Sequence, residues 1–207
     1  MRFFLYIKLF LLASCSSNFE LQEGDLLFQD LDSSPLCDAI ELVTPGYKDA
    51  NLSHIGFVIK ENKKLKVIEA IPPTVKKTSI KDFFEQSNKI IVGRLKPEYK
   101  SSLKYAIKFM KEKVDIEYDE YFILNNDRYY CSELIYEAFK KHQIFSLQPM
   151  TFMNPSTGEP LEVWKDYYDN IEMEIPEGEL GINPGIMSLS NKIEIVHIYE
   201  KPSRMKE

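Results

Sequence analysis

A cysteine at the start of a predicted helix is the residue of this sequence with the clearest potential for chemistry. Cys131 follows two tyrosines in the stretch Tyr129–Leu134, YYCSEL, and opens an amphipathic helix predicted over Cys131–His142. At such a position unpaired backbone N–H groups and the positive end of the helix dipole favour a thiolate over a thiol. Cys131 is therefore a candidate nucleophile. The alternatives are a buried structural cysteine on a helix face and a disulfide with Cys37.

A histidine and a glutamate upstream are candidates for the groups that a cysteine nucleophile needs. His54 lies in a predicted strand over Leu52–Ile59, and Glu69 lies in a second predicted strand over Leu65–Ile71. The polar residues between the two strands predict a turn, so the strands should form an antiparallel hairpin. A nucleophilic thiol requires a base within hydrogen-bonding reach and a third group that orients this base.

The register of this hairpin decides whether the two side chains can meet. We expect Lys60 to pair with Leu65 across the turn. In that register His54 and Glu69 are diagonal neighbours on one face of the sheet, roughly 7–8 Å apart at the backbone and within reach of long side chains. A slip of one residue would separate them. If His54 were alone, it would be interpreted as a partly buried strand-end residue, and Glu69 as an outward-facing residue of a half-exposed strand.

Composition and periodicity predict one globular domain of the α+β class. The chain has 207 residues, of which 44% are hydrophobic and 28% charged, a length and balance that suit a single domain with a sizeable core. We expect a mostly antiparallel sheet with helices packed against it. The segment after Pro149 is rich in Pro, Gly and Asn and is predicted to be a loop that covers the core, or alternatively a wall of a cleft. The other predicted strands are Leu21–Gln29, Ile90–Leu95 and Ile193–Tyr199, and the other predicted helices are Ser33–Thr44, Ile80–Gln86 and Lys100–Lys113.

Charge and histidine spacing argue against two classes of function. The formal net charge is −6, and the lysines are mixed with acidic residues, so no basic surface for a nucleic acid is expected. The histidines are His54, His142 and His197, and no pair of them has the spacing of metal ligands. We therefore expect no metal and no cofactor.

The N-terminus has the pattern of an export signal. Residues 1–14 carry Arg2 and Lys8 and then an apolar run too short to cross a membrane, and residues 12–15 (LASC) resemble a bacterial lipobox. The resemblance implies cleavage before Cys15 and lipidation of this cysteine, followed by a polar tether over residues 15–20 and one domain over 21–207. We expect a protein anchored by lipid in the cell envelope, at the outer membrane in a Gram-negative cell. A generic signal peptide with a chance cysteine is the alternative.

Several short motifs in a fixed order resemble a known family. They are GDLLF at Gly24–Phe28, SHIG at Ser53–Gly56, IEA at Ile68–Ala70, the pair Tyr118-Asp119, and YYCSEL at Tyr129–Leu134. From about Leu21 to the C-terminus the set resembles the permuted papain-like hydrolases, the YiiX/YaeF-like branch of the NlpC/P60 superfamily. Ordinary members place the cysteine before the histidine, whereas this chain has the permuted order. The resemblance implies a circularly permuted papain-like fold.

The resemblance also implies the roles of the candidate site residues. Cys131 would be the nucleophile, His54 the base and Glu69 the acid that orients the base. The backbone N–H of Cys131 is the expected oxyanion donor, and the hydroxyl of Tyr118 or Tyr130 could add a second one, although packing is the alternative role for both tyrosines.

The predicted function is hydrolysis of an amide by an exported cysteine hydrolase through an acyl-enzyme. Cell-wall peptides or related amides are the expected substrates. The first alternative is a lipid acyl hydrolase or acyltransferase with the same triad. The second is a non-catalytic envelope lipoprotein that binds a peptide, amino acid or lipid in the cleft, and a structural interaction protein is the last.

Overall fold

The computed structural model describes residues 19–207. The predicted signal peptide and the lipidation site at Cys15 lie outside these residues. The strands are β1 (Leu26–Gln29), β2 (His54–Glu61), β3 (Lys64–Ile71), β4 (Thr74–Ser79), β5 (Ile90–Leu95), β6 (Gln148–Pro149), β7 (Leu180–Gly181) and β8 (Ile193–Ile198). The helices are α1 (Pro35–Val43), α2 (Ile80–Gln86), α3 (Leu103–Glu112), α4 (Cys131–Phe139), α5 (Glu162–Asn170) and α6 (Pro184–Ser188).

One antiparallel sheet forms the centre of the fold and confirms the predicted α+β class. It has six strands in the order β4-β3-β2-β1-β5-β8, and β6 and β7 form a separate small sheet. The β2–β3 hairpin has the predicted register, with Lys60 opposite Leu65. Asn62 and Lys63 form its two-residue turn with φ values of 49° and 65°, the left-handed conformation that a tight hairpin turn requires.

The two faces of the sheet are covered differently. Alternate residues of β2, Ile55, Phe57 and Ile59, are fully buried in the main core, which α3 and α4 cover. The intervening residue Val58 packs on the opposite face in a smaller apolar cluster that includes Phe83 of α2. This alternation follows from the two-residue period of a strand and fixes the side of the sheet to which each β2 residue points.

Several of the predicted elements have different ends in the structure. β1 begins at Leu26 rather than Leu21, because Gly24 adopts φ +95° in a turn before the strand. Pro97–Ser102 is a 3-10 turn, so α3 begins only at Leu103. Another 3-10 turn, Lys140–His142, follows the end of α4 at Phe139.

The largest errors of the sequence analysis concern segments predicted to have no regular structure. Strand β4 follows Pro72-Pro73 directly and pairs with β3 along its whole length. The segment after Pro149 contains α5 and α6 as well as the short strand β7, so it is not a plain loop. Its alternative interpretation, as a wall of a cleft, agrees with the structure, because Trp164 and Ile182 line the principal cleft.

Two further observations bear on the predictions. Among residues 19–207, no helix combines the length and apolar character needed to cross a lipid bilayer. Cys37 and Cys131 are both free thiols, so the alternative of a disulfide between them is not what the structure shows.

Candidate active site

Cys131 is the first residue of α4, as the sequence predicted. Tyr130 is the N-cap residue with an extended backbone, and no side chain caps this end of the helix. Cys131 is 9% exposed as a residue and lines the principal cleft together with His54. Since the helix N-terminus carries a partial positive charge, negative charge that develops near Cys131 is stabilised there.

The structure brings His54 and Glu69 into direct contact. Nε2 of His54 lies 2.7 Å from Oε2 of Glu69, and both residues are buried. This bond uses one ring nitrogen, so Nδ1 is the nitrogen left to exchange a proton with a thiol. His54, the first residue of β2, therefore lines the cleft and is also bonded to Glu69 on β3.

The second oxygen of Glu69 is held by neutral donors. Oε1 accepts a hydrogen bond from Oγ1 of Thr78 on β4 and a longer one, 3.4 Å, from Nε2 of Gln86 on α2. The carboxylate is completely buried, and these bonds together with that of His54 compensate for its lost hydration. The hydrogen bonds from Thr78 and Gln86 were not predicted from the sequence. Nothing in the sequence marks Thr78 as a partner of Glu69 unless the pairing of β4 with β3 is known.

The ionisation of the pair follows from its contacts. Burial alone would lower the pKa of His54, but hydrogen bonds and charge interactions with Cys131 and Glu69 outweigh burial and raise this pKa to about 10. Burial alone would raise the pKa of Glu69, whereas its bond to His54 and the charges of His54 and Lys76 lower it. The site therefore favours an imidazolium between a carboxylate and a sulfur, an arrangement in which a thiol can be activated as a nucleophile.

The two candidate tyrosines differ in their surroundings. Tyr118 lines the cleft, and its pKa is raised by burial and by the nearby Cys131. Tyr130 also lines the cleft, but its hydroxyl accepts a hydrogen bond of 3.2 Å from the backbone N–H of Ile182. Ser132 donates to the carbonyl of the same Ile182 at 2.9 Å. Tyr130 and Ser132 thus attach the C-terminal segment to the first turn of α4.

A second buried glutamate, Glu133, lies in the first turn of α4, close to Cys131 in sequence. Glu133 is 1% exposed, and Oε2 of its carboxyl is buried without a hydrogen-bond partner. The nearby backbone N–H groups of Tyr130 and Asn125 favour the charged form of this carboxyl, but burial outweighs them. Burial, and after it the charge of Asp119, raises the pKa of Glu133 to about 8. Asp119 in turn accepts hydrogen bonds from the backbone of Tyr121 and Ile123 and orders this loop.

An acidic cluster lies in the loop after β1 and in α1, and this loop is hydrogen-bonded to Ser53, the residue before His54. One carboxylate oxygen each of Asp30, Asp32 and Glu41 lie within 4.8 Å of one another, and Oδ1 of Asp30 and Oε1 of Glu41 are buried without a hydrogen-bond partner. Lys89 forms an ion pair with Asp32 and lies 3.7 Å from Asp30. The sequence did not reveal this cluster, because Asp30 and Asp32 lie in the loop after β1 and Glu41 lies in α1, and only the fold brings the two segments together.

Fold and site together define a class of protein. An antiparallel sheet that supplies His54 before a helix that supplies Cys131 is the permuted arrangement of a papain-like fold. A family model described as "Permuted papain-like amidase enzyme, YaeF/YiiX, C92 family" matches residues 20–197. The chain belongs to this family.

Individual relatives agree with this assignment. The protein is 32% identical over 125 residues to the uncharacterized protein YiiX of Escherichia coli K12. That match covers 58% of this chain and 57% of the relative, so it spans little more than half the length of that protein. The crystal structure of the "metalloprotein yiiX" from Escherichia coli O157:H7 has 25% identity and a TM-score of 0.74, and the match covers 89% of this chain and all of that one.

Proposed function

We propose that this protein is a cysteine hydrolase that cleaves an amide bond through an acyl-enzyme, with Cys131 as nucleophile. The observation that carries the proposal is that Cys131 and His54 line one cleft, while His54 is bonded on its other side to the buried Glu69. The amidase family to which the chain belongs supports the reaction class.

In the proposed reaction His54 receives the thiol proton and the sulfur of Cys131 attacks the carbonyl carbon. The negative oxygen of the tetrahedral intermediate is stabilised by the backbone N–H of Cys131 at the helix N-terminus, with the Tyr118 hydroxyl as a second donor. The carbon–nitrogen bond then breaks as His54 protonates the leaving amine. Water attacks the thioester and gives its proton to His54, and the carbon–sulfur bond breaks to release the acid. Glu69 holds the imidazole in place and stabilises its charged form.

The test uses the full chain and substrates of two chemical classes. Muropeptides and phospholipids are supplied in parallel, with release of a free amine or of a fatty acid as the readout. Cys131→Ala should abolish release, whereas Cys37→Ala, which also changes a cysteine of the cleft wall, should retain it. Full activity of Cys131→Ala would refute the assignment. No turnover combined with an unreactive Cys131 would favour the non-catalytic binding protein instead.

We also propose that the protein is exported and lipidated at Cys15, on the sequence pattern of residues 1–15. Growth with an alkyne-labelled fatty acid should label the wild-type protein and leave Cys15→Ser unlabelled. Equal labelling of both proteins would refute this anchor site.

The acidic cluster is the part of the described chain that fits a bound metal. The structural relative is titled a metalloprotein, and we propose that Asp30, Asp32 and Glu41 bind a hard divalent cation here. Carboxylate oxygens are the ligands that such cations prefer, and two buried oxygens of the cluster have no other partner. Leu31, which lies between Asp30 and Asp32, is hydrogen-bonded to Ser53, the residue before His54, so a cation bound here would stabilise the start of β2.

A further inference from the structure

Gln29 is a buried polar residue beside the candidate active site, and the proposed reaction gives it no role. It is the last residue of β1 and lies directly opposite His54 in the pairing of β1 with β2. Residues at opposite positions of neighbouring strands point to the same face of the sheet, with Cβ atoms roughly 4.5–5.5 Å apart. Gln29 is completely buried and does not line the cleft, so a substrate in the cleft would not contact it.

The side-chain amide of Gln29 is bonded to the C-terminal end of α2. Its Nε2 donates to the carbonyl of Phe83 at 2.9 Å and to that of Ser87, the C-cap residue, at 2.6 Å. Carbonyls at the end of a helix lack partners within the helix, and these two bonds attach that end of α2 to β1. The amide oxygen Oε1 is buried and has no hydrogen-bond partner among the described residues.

Helix α2 contacts both His54 and Glu69. The fully buried ring of Phe83 packs on the imidazole of His54, with ring centroids 5.9 Å apart. Nε2 of Gln86 lies 3.4 Å from Oε1 of Glu69. A shift of α2 would therefore move a packing surface of the imidazole and a hydrogen-bond donor of the carboxylate at the same time. A misplacement of about 1 Å can lower a reaction rate about 100-fold, so the proposed reaction depends on where this helix is held.

We propose that Gln29 is a positioning residue of the proposed reaction. It holds the C-terminal end of α2 on β1 and so keeps Phe83 against the imidazole and Gln86 at the carboxylate. His54 is thereby kept aligned between Glu69 and the cleft. The inference rests on the proposed function and adds a residue that acts through α2, without contact to the substrate.

The first experiment measures the alkylation of Cys131 by iodoacetamide at pH 6 on the full-length protein. Gln29→Met keeps the length of the side chain and removes only the two donor bonds, because Oε1 has no partner to lose. We expect alkylation to slow about tenfold, which corresponds to about one pKa unit of His54. Ser102→Ala is the matched control, since Ser102 is 1% exposed, does not line the cleft and also donates to a backbone carbonyl, that of Tyr99 at 2.7 Å. Unchanged alkylation in folded Gln29→Met, or equal slowing in Ser102→Ala, would overturn the inference.

A second comparison tests whether Gln29 acts through α2. Phe83→Leu combined with Gln86→Met removes both contacts of α2 with the His–Glu pair and leaves the backbone carbonyls in place. In this background Gln29→Met should change the alkylation rate by less than about twofold, because the two sets of changes share one route. A further loss of about tenfold would show another route and refute the role of α2. If Gln29→Met does not fold, Gln29→Asn takes its place, since its amide is one methylene shorter and cannot reach the two carbonyls.

A titration of His54 separates this inference from the proposed function. Its imidazole is followed by nitrogen NMR, and its pKa, raised to about 10 in the wild-type protein, should fall by about one unit in Gln29→Met and stay unchanged in Ser102→Ala. That fall, together with a Cys131 no more reactive than Cys37 in every variant, would sink the hydrolase and leave the positioning role of Gln29 standing. A reactive Cys131 whose rate, like the pKa of His54, is the same in wild type and Gln29→Met would do the reverse.

Discussion

Replacing Glu69 by glutamine would test the proposed site without requiring a known substrate. The side chain is fully buried, with Oε2 2.7 Å from Nε2 of His54 and Oε1 bonded to Thr78. Glutamine has nearly the same shape and can still accept a hydrogen bond from Nε2, so the change removes a charge and leaves the packing in place. A loss of function would therefore reflect the ionisation of His54.

The expected fall in the pKa of His54 can be estimated from its hydrogen bond to the charged Glu69. A hydrogen bond to a charged group contributes about 1.5–3 kcal/mol, and one pKa unit corresponds to 1.36 kcal/mol. The pKa of His54, now raised by Cys131 and Glu69, should thus fall by about one to two units in Glu69→Gln. The population of the thiolate–imidazolium pair relative to the neutral thiol and imidazole should fall about 10- to 100-fold.

Alkylation by iodoacetamide between pH 5 and 10 measures this population, with mass spectrometry reporting Cys131 and Cys37 separately. In Glu69→Gln the reaction at Cys131 should slow by about 10- to 100-fold at pH 6, because the ion pair with His54 is less populated. Cys37 is the internal control. Glu61→Gln is the control variant, because Glu61 is a half-exposed carboxylate paired with Lys66 and Lys77. Superimposable profiles for wild type and Glu69→Gln would refute the proposed role of Glu69.

Two further predictions concern groups around the site. The raised pKa of Glu133 implies stability that is complete below its ordinary pKa of 4.5 and is lost as pH rises through about 8, so Glu133→Gln should lessen the fall in unfolding free energy between pH 5 and 9 by on the order of a few kcal/mol in urea titrations. Glu85→Gln, which changes an exposed carboxylate of α2 paired with Lys81, is its control, and an equal fall in both variants would contradict the assignment. Millimolar calcium or manganese should raise the melting temperature of wild-type protein by several degrees and that of Glu41→Gln much less. Equal shifts in the two proteins would exclude the acidic cluster as the cation site.

The hairpin that brings His54 to Glu69 could be predicted because its geometry depends on a small number of local rules. A two-residue turn sets the pairing of Lys60 with Leu65, and the alternation of side chains along a strand then decides which residues share a face. The start of α4 at Cys131 was likewise readable from the helical spacing of the apolar residues that follow. Both features depend on residues close together in sequence.

The groups that complete the site depend on distant parts of the chain and could not be predicted in the same way. Strand β4 has a largely polar sequence, in which only Val75 and Thr78 are buried, so its period is too weak to recognise. Helix α5 buries just Trp164 and Tyr168, and its packing partners lie elsewhere in the chain. Consequently the bond from Thr78 to Glu69 and the position of Trp164 in the cleft lining emerge only from the tertiary structure.

Two buried glutamates near Cys131 show why residue type and burial alone do not assign chemistry. Glu69 and Glu133 are both at most 1% exposed, and burial raises the pKa of each. Their neighbours have opposite charges: His54 and Lys76 lower the pKa of Glu69, whereas Asp119 raises that of Glu133 further. Glu69 is therefore a carboxylate, whereas Glu133 holds its proton near neutral pH.

The pH dependence of stability differs accordingly. The stability that Glu69 contributes is lost as pH falls below 4.5. The stability that His54 contributes is complete below pH 6.5 and is lost as pH rises through about 10. The charged pair thus persists across the range in which Glu133 begins to ionise, so we expect different groups to set the upper pH limit of the fold and that of the proposed reaction.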